Sequence, residues 1–248
     1  AAASGRAAAF EKVSCLGEGA FGAVWHARRR EDGRLVALKE VSRGRMAGSD
    51  ADVRRLWEER SALTAIAEAR QDRSNGSSVS PALVGLVESY TTPMALCLVM
   101  DLVEGIPLHE LLRRAQRFPE ENARWCAAEV AGALGWLHGA GWLYRDLKLS
   151  NVMLSARGAR VRLVDFGFAK KAARANSIVG TLHTMAPEVI SCAELEAPDE
   201  PGAAQALPAC TDYGCEADWW SLGVLLFELL AGEPPFGYCE DVHLEGRQ

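Results

Sequence analysis

No run of roughly 18 or more apolar residues occurs in this 248-residue chain, so no segment reads as a membrane-spanning helix. The longest candidate, Trp219 to Gly232, is too short and contains Glu228; it reads as a buried helix. An excess of positive charge is also absent, with 27 Lys and Arg against 33 Asp and Glu. A formal net charge of −6 argues against nucleic acid as the main partner, because phosphate backbones reward a basic surface. The seven cysteines (Cys15, Cys97, Cys126, Cys192, Cys210, Cys215 and Cys239) are odd in number and contain no C-x-x-C pair, and no secretory leader is visible. These absences point to free thiols in a reducing, cytoplasmic compartment. Cys210 and Cys215 lack a His at ligand spacing, which argues against a metal there. An initiating Met is missing from the opening "AAASGR", so the chain reads as trimmed from something longer.

What is present is ordinary globular composition, 49% hydrophobic and 24% charged, in a length that suits one large domain or two lobes. The first hundred residues alternate apolar and polar side chains around the turn signal "EDG" (Glu31 to Gly33), which predicts antiparallel strands. One amphipathic helix interrupts them over Asp52 to Ala69, with Val53, Leu56, Trp57, Leu63 and Ile66 on its apolar face. "ALVGLVES" and "ALCLVMDLV" read as two further strands. After "EGIP" the pattern turns helical, and the next helix opens near Pro119 and closes at Gly139 and Gly141. "NVML" and "VRLV" read as a small hairpin, and residues 191–216 as an irregular, proline-containing surface insertion. The fold class is therefore α+β: a β-rich lobe (10–100), a joint (101–105) and a mainly helical lobe (106–248). A cleft between lobes is where small ligands bind.

Gly17, Gly19 and Gly22 stand at G-x-G-x-x-G spacing. Dinucleotide-binding folds share that spacing but start a helix at once, whereas "AVWHARR" and a hairpin turn follow here. The better reading is a loop between two strands that closes over phosphates with backbone N–H groups. On the next strand, Lys39 ends "VALK"; an ammonium behind apolar residues needs a partner, and the helix offers Glu59, with Glu58 as runner-up. "YRDLKLSN" (Tyr144 to Asn151) then places an Asp, a Lys and an Asn at one bend, followed by "DFG" at Asp165 to Gly167 and "APE" at Ala186 to Glu188. The bend matches H-R-D-L-x-x-x-N with Tyr144 in place of His. With these five motifs in order, the chain resembles the eukaryotic protein kinases over nearly all of its length. Tyr144, "DFGFAKK", "DWWSLGVLLFELLAGEPPF" and Gly180-Thr181 resemble the AGC serine/threonine group, most of all the cAMP- and cGMP-dependent enzymes.

The resemblance implies Mg-ATP as phosphate donor, two Mg²⁺ ions held by Asn151 and Asp165, and protein serine or threonine hydroxyls as acceptors. It implies Asp146 as the acceptor of the hydroxyl proton, Lys148 on the γ-phosphate, and Lys39 with Glu59 on the α- and β-phosphates. Thr181 would meet Asp146 and Lys148. Gly17, Gly19 and Gly22 would cover the phosphates. Val24, Ala37, Met100 and Leu154 would enclose the adenine, and backbone groups of Asp101 and Val103 would bond its edge. Ser177 falls where such kinases carry an activating phosphate, placed there by an upstream kinase, with Arg145, Lys170 and Arg55 as receivers. Glu228 would read a basic residue upstream of the acceptor.

Three departures stand against the pattern. Leu149 and Ser150 replace Pro-Glu, which weakens the reading of a basic substrate. Pro107 stands where an acid should contact the ribose, leaving Glu104 and Glu110 as poor substitutes. The chain also stops at Gln248, ahead of the helices that would supply an arginine to Glu188, so any regulatory domain is expected outside it. An exposed apolar face on the "DWWSLG" helix is expected in consequence. A pseudokinase scaffold or a small-molecule phosphotransferase are the competing readings. The first normally loses the Lys, the catalytic Asp or the DFG Asp, and the second lacks the "GT…APE" segment.

Overall fold

A computed structural model describes residues 6–19, 22–46, 49–72, 78–156, 159–192 and 212–238. Strands β1 (Phe10–Gly19), β2 (Gly22–Arg29) and β3 (Leu35–Ser42) lead into the short helix α1 (Arg43–Met46) and the long helix α2 (Asp50–Gln71). Strands β4 (Leu86–Thr91) and β5 (Ala95–Asp101) complete a five-stranded sheet in the order β1-β2-β3-β5-β4, every neighbour antiparallel. The pleat of β3 sorts its side chains. Val36 and Leu38 are buried with Phe10, Ala27, Cys97 and Val99, while Ala37 and Lys39 share the opposite face.

Helix α2 starts where the Ser49 side chain accepts from Asp52 N at 3.2 Å. Its buried stripe is Leu56, Glu59, Ala62, Leu63 and Ile66. The sequence reading also put Val53 and Trp57 on that face, but they are 38% and 52% exposed. Trp57 lies about 100° round the helix from Leu56, and it lies instead against the Arg60 guanidinium, 5.4 Å from the ring centroid. A carboxylate occupies the inward position because Lys39 waits opposite it.

The second half contains β6 (Gly105–Pro107), α3 (Leu108–Ala115), α4 (Glu120–Gly139), β7 (Trp142–Leu143), β8 (Val152–Ser155), β9 (Arg160–Leu163), β10 (Lys170–Lys171), α5 (Pro187–Ser191) and α6 (Glu216–Ala231). "EGIP", read as the switch to helix, supplies a third strand to the β8–β9 hairpin: Gly105 opposes Ser155 and Pro107 opposes Met153. Pro107 is tolerated there because β6 is an edge strand. Pro119 is the N-cap of α4, one residue ahead of its first turn. One apolar core joins the two halves, with Leu63, Ile66 and Leu98 on one side and Leu134, Leu147, Leu163 and Phe166 on the other.

Residues 193–211 of the expected insertion lie outside the described residues. Its C-terminal end is pinned by one isolated bridge. Tyr213 is buried, exchanges two backbone hydrogen bonds of 2.7 Å with Ala175, and α6 begins at Glu216. Helix α6 buries Val224, Leu225 and Leu229 and leaves Trp219, Trp220, Phe227 and Leu230 between 37% and 47% exposed, as expected of that face. Among the described residues no helix is long and apolar enough to cross a membrane. The described cysteines form no disulfide; Cys210 and Cys239 lie outside the described residues.

The last turn of α6 closes on Gly232, whose φ of 91° is left-handed and whose added Cβ would sit 2.2 Å from the Gln116 carbonyl oxygen. Gly232→Ala is therefore expected to cost about 1–3 kcal/mol of stability, read by urea denaturation. An unchanged midpoint would show that this loop shifts freely.

Candidate active site

The bend after β7 is held from beneath by one buried carboxylate. Asp218, 2% exposed, accepts from Tyr144 N at 2.9 Å and Arg145 N at 2.8 Å, and His138 Nε2 lies 2.8 Å from the same group. These bonds hold Arg145 at a φ of 68°, a conformation that side chains disfavour. The Tyr144 ring meets Phe166 edge-on at 5.5 Å, and its hydroxyl donates to the Val164 carbonyl at 2.5 Å. Burial and three nearby carboxylates push the Tyr144 hydroxyl well above its usual pKa, so it stays a neutral donor.

Above this support the polar groups converge. Thr181 Oγ1 donates to Asp146 Oδ1 at 2.7 Å. Lys148 Nζ lies 2.7 Å from Thr181 Oγ1 and 3.0 Å from Asp146 Oδ2. Asn151 Nδ2 donates to the Asp146 carbonyl at 2.9 Å and to its Oδ2 at 2.8 Å. Asp146 and Asn151 are buried. The carboxylate is thus fixed by three partners, with one oxygen facing a hydroxyl at the distance a proton acceptor requires.

A second cluster joins the lobes. Lys39 Nζ reaches Glu59 Oε1 at 2.7 Å, which selects Glu59 over Glu58, and Asp165 Oδ1 at 3.4 Å. Asp165 has a φ of 59° and accepts from Gly167 N at 3.1 Å. Burial works against the Lys39 charge, but the two carboxylates outweigh it and the net pKa is raised. Glu59 is raised because burial exceeds the pull of Lys39. Asp165 is lowered: burial opposes its charge, and Lys39 with the Gly167 N–H overcomes it.

On the nucleotide side, an added Cβ at Gly17 or Gly19 would enter open space, whereas at Gly22 it would lie 1.7 Å from the Glu40 carbonyl oxygen. Close pairing with β3 alone therefore demands a glycine at 22. Ala20 and Phe21 lie outside the described residues. Val24 opposes Lys39 and Ala37 opposes Met100 across the sheet, while Met100, Val103 and Leu154 pack on the core. The Asp101 side chain is taken by Arg34 at 3.0 Å, Arg70 at 2.8 Å and Gly85 N at 3.0 Å. Glu110 pairs with Arg114, and Pro107 is the N-cap of α3.

Of the three receivers assigned to Ser177, the structure brings one to it: Arg145 Nη1 donates to Ser177 Oγ at 2.9 Å. Arg55 lies 5.5 Å from the Phe168 ring and 3.4 Å from Asp52 Oδ1, and Lys170 pairs with Leu143 in the β10–β7 ladder. Sequence reasoning missed Tyr213, whose hydroxyl donates to the Ser177 carbonyl at 2.6 Å and lies 3.3 Å from Arg145 Nη1. It also missed Asp218 and His138. An acid heading an apolar helix was the available signal for Asp218. Glu228 is buried, and Tyr238 donates to its Oε1 at 2.9 Å. Among the described residues Glu188 forms no ion pair.

A β-rich lobe carrying a Gly-rich strand pair and a Lys–Glu pair, above a helical lobe that presents Asp, Lys and Asn at one bend, defines a phosphotransferase scaffold. The family profile described as "Protein kinase domain" matches residues 10–247, and the chain belongs to that family. Relatives include atypical protein kinase C of Drosophila melanogaster, 34% identical over 92% of this chain and 33% of the relative. Protein kinase C zeta type of Oryctolagus cuniculus is 32% identical over 94% and 35%. Serine/threonine-protein kinase Sgk3 of Rattus norvegicus is 35% identical over 94% and 41%. These relatives are AGC serine/threonine kinases, so the assignment stands at the level of that group. The chain spans between a third and two-fifths of the length of these relatives.

Two expectations follow. Asp218→Ala leaves two buried N–H groups and His138 without their acceptor and should cost about 3–5 kcal/mol in urea denaturation; a loss below about 1 kcal/mol would mean the bend is held otherwise. On acidification, Glu59, raised above 4.5, should take a proton before Asp165, lowered below 3.8. Asp165 then contributes stability above its unfolded value and loses it as pH falls through its lowered one, whereas ionised Glu59 subtracts stability above its raised value. The Lys39 contribution is full below 10.5 and fades as pH climbs through its raised value. Carboxyl ¹³C NMR titration reads the order, and Asp165 protonating first would refute it.

Proposed function

We propose that this chain is the catalytic domain of an ATP-dependent serine/threonine protein kinase of the AGC group, acting on protein hydroxyls. The observation that carries it is the Thr181 hydroxyl donating to Asp146 Oδ1 while Lys148 touches both. A substrate hydroxyl placed likewise gives its proton to Asp146 as its oxygen bonds to the transferred phosphorus. Lys148 balances charge that moves onto the phosphoryl oxygens. Mg-ATP, when bound, supplies the phosphoryl group and the ADP leaving group.

Hard oxygen donors on Asp165 and Asn151 suit magnesium, and we assign them to two ions. Lys39, held by Glu59, is assigned to the α- and β-phosphates, and Gly17, Gly19 and Gly22 to the loop over them. Val24, Ala37, Met100 and Leu154 would enclose the adenine, with Asp101 and Val103 presenting backbone groups to its edge. The lobe division at 101–105 belongs to this reading, as does a reducing, intracellular setting. Lys39, Asp146, Asn151 and Asp165 are all present, which disfavours a pseudokinase, and Gly180-Thr181 through Ala186 to Glu188 disfavours a small-molecule phosphotransferase.

Ser177 is assigned as the site an upstream kinase modifies, with Arg145 as its main receiver. A basic preference through Glu228 requires Tyr238 to release Oε1, so it is the weaker part of the substrate assignment. Phosphate transfer from Mg-ATP to serine peptides tests the whole reading. The Ser177-phosphorylated chain should transfer, and Asp146→Asn should lower the rate about a hundred- to ten-thousandfold with folding intact. No transfer to several peptides by the folded, phosphorylated protein would leave a nucleotide-binding scaffold instead.

A further inference from the structure

Beside the segment assigned as hinge lies a cavity of about 740 Å³ that shares only Asp101 and Val103 with the residues assigned to the nucleotide. Residues Asp101 to Glu104 line it, and three arginines join the lining from separate elements: Arg34 ahead of β3, Arg70 in the last turn of α2, and Arg162 on β9. Asp101 answers two of them. Its carboxylate carries Arg34, Arg70 and the Gly85 N–H, which leaves little acceptor capacity for a further cation.

Arg162 is answered by no carboxylate within ion-pair distance among the described residues. Its Nη1 donates to the carbonyls of Pro81 and Leu83, the latter at 3.3 Å, and Arg70 Nη2 donates to that same Leu83 carbonyl. Two positive groups thus share one neutral acceptor. Burial and the neighbouring Arg70 charge depress the Arg162 pKa, as such crowding should. Among the described residues Arg162 thus lacks a carboxylate partner where its fork meets that of Arg70, whose own carboxylate Asp101 is shared with Arg34, and forks bind planar or tetrahedral oxyanions best.

Shape narrows the guest. A bare phosphate or carboxylate would fill a small part of the cavity, whose size falls in the range of sites for multi-atom ligands. Leu35, Val79, Pro81 and Leu102 add apolar wall next to the arginines. We propose that this cavity docks an acidic peptide segment of a partner protein, its carboxylate or phosphoester bridging Arg70 and Arg162 while a flanking apolar side chain packs on Leu35 and Val79. The assignment stands apart from the catalytic one, since Arg162 touches none of the residues assigned to phosphoryl transfer.

The test is fluorescence anisotropy on the whole chain with saturating Mg-ADP present, so that the catalytic cleft is blocked. Two fluorescein-labelled peptides, Leu-Glu-Glu-Glu-Leu and Leu-Glu-phosphoserine-Glu-Leu, separate the two oxyanion sources; Leu-Gln-Ser-Gln-Leu is the uncharged control. At least one acidic peptide should bind saturably, weaken with added salt, and lose about tenfold or more in affinity in Arg162→Gln. Arg162→Lys keeps the charge without the fork and should fall between the two, which covers a poorly folding Gln variant. Equal binding by wild type and both variants overturns the proposal, as does no saturable binding of either peptide up to millimolar concentration. Inorganic phosphate displacing the peptide at equal concentration would show a small-anion site and overturn the peptide assignment.

Discussion

The Asp218 carboxylate supports the bend that carries Asp146. It lies near the start of α6 and accepts two backbone N–H groups of a bend that belongs to no regular element. A residue held at positive φ costs on the order of 1–2 kcal/mol, and each hydrogen bond to a buried charge returns about 1.5–3 kcal/mol. The two bonds therefore outweigh the strain at Arg145. Because that strain sits one residue before Asp146, the same bonds decide where the Asp146 carboxylate points.

The electrostatics of the cleft follow a different logic. Glu59, Asp146 and Asp165 face the ammonium groups of Lys39 and Lys148, three carboxylates against two cations. Such a cleft would repel a triphosphate unless further positive charge accompanied it. Divalent metal with oxygen ligands is the form of charge that this donor set suits, and among the described residues no cluster of arginines joins Lys39 and Lys148 there. Lys39 spans the lobes, so its pairing with Glu59 also fixes the distance of α2 from the bend. The apolar core that joins the lobes places α2 approximately; the ion pair sets the last ångström, since 2.7 Å is a contact and 3.4 Å already a weak one.

The parts legible in the sequence were those with local rules. Alternation exposed β3 and put Lys39 on the face away from Val36 and Leu38, and glycine spacing with a following strand exposed the β1–β2 pair. Glu59 was legible because a buried lysine needs a carboxylate at helical reach. What escaped depended on distant partners. Trp57 looked like core because apolar periodicity cannot see that Lys39 draws an acid inward at 59. Asp218 and Tyr213 were passed over because their partners, Tyr144, Arg145 and Ser177, lie tens of residues earlier in the chain. The helix after "EGIP" was legible, but the strand Gly105–Pro107 was not, because a strand of three residues carries no period at all.

The same long-range geometry bears on how a charge at Ser177 would act. Arg145 is already tied at both ends: its backbone N–H by Asp218, its guanidinium by the Phe168 carbonyl at 2.7 Å, Ser177 Oγ and the Tyr213 hydroxyl. A receiver fixed in this way loses little further freedom when an anion arrives, so most of the new attraction remains as stabilisation rather than being spent on ordering the side chain. Tyr213 tightens the arrangement by holding the Ser177 carbonyl and by pairing its own backbone with Ala175. The Ser177 segment is thereby docked with its hydroxyl unmodified. On this geometry phosphorylation would lock a conformation already formed, and its effect on rate would come from keeping Thr181 against Asp146 rather than from assembling that contact anew.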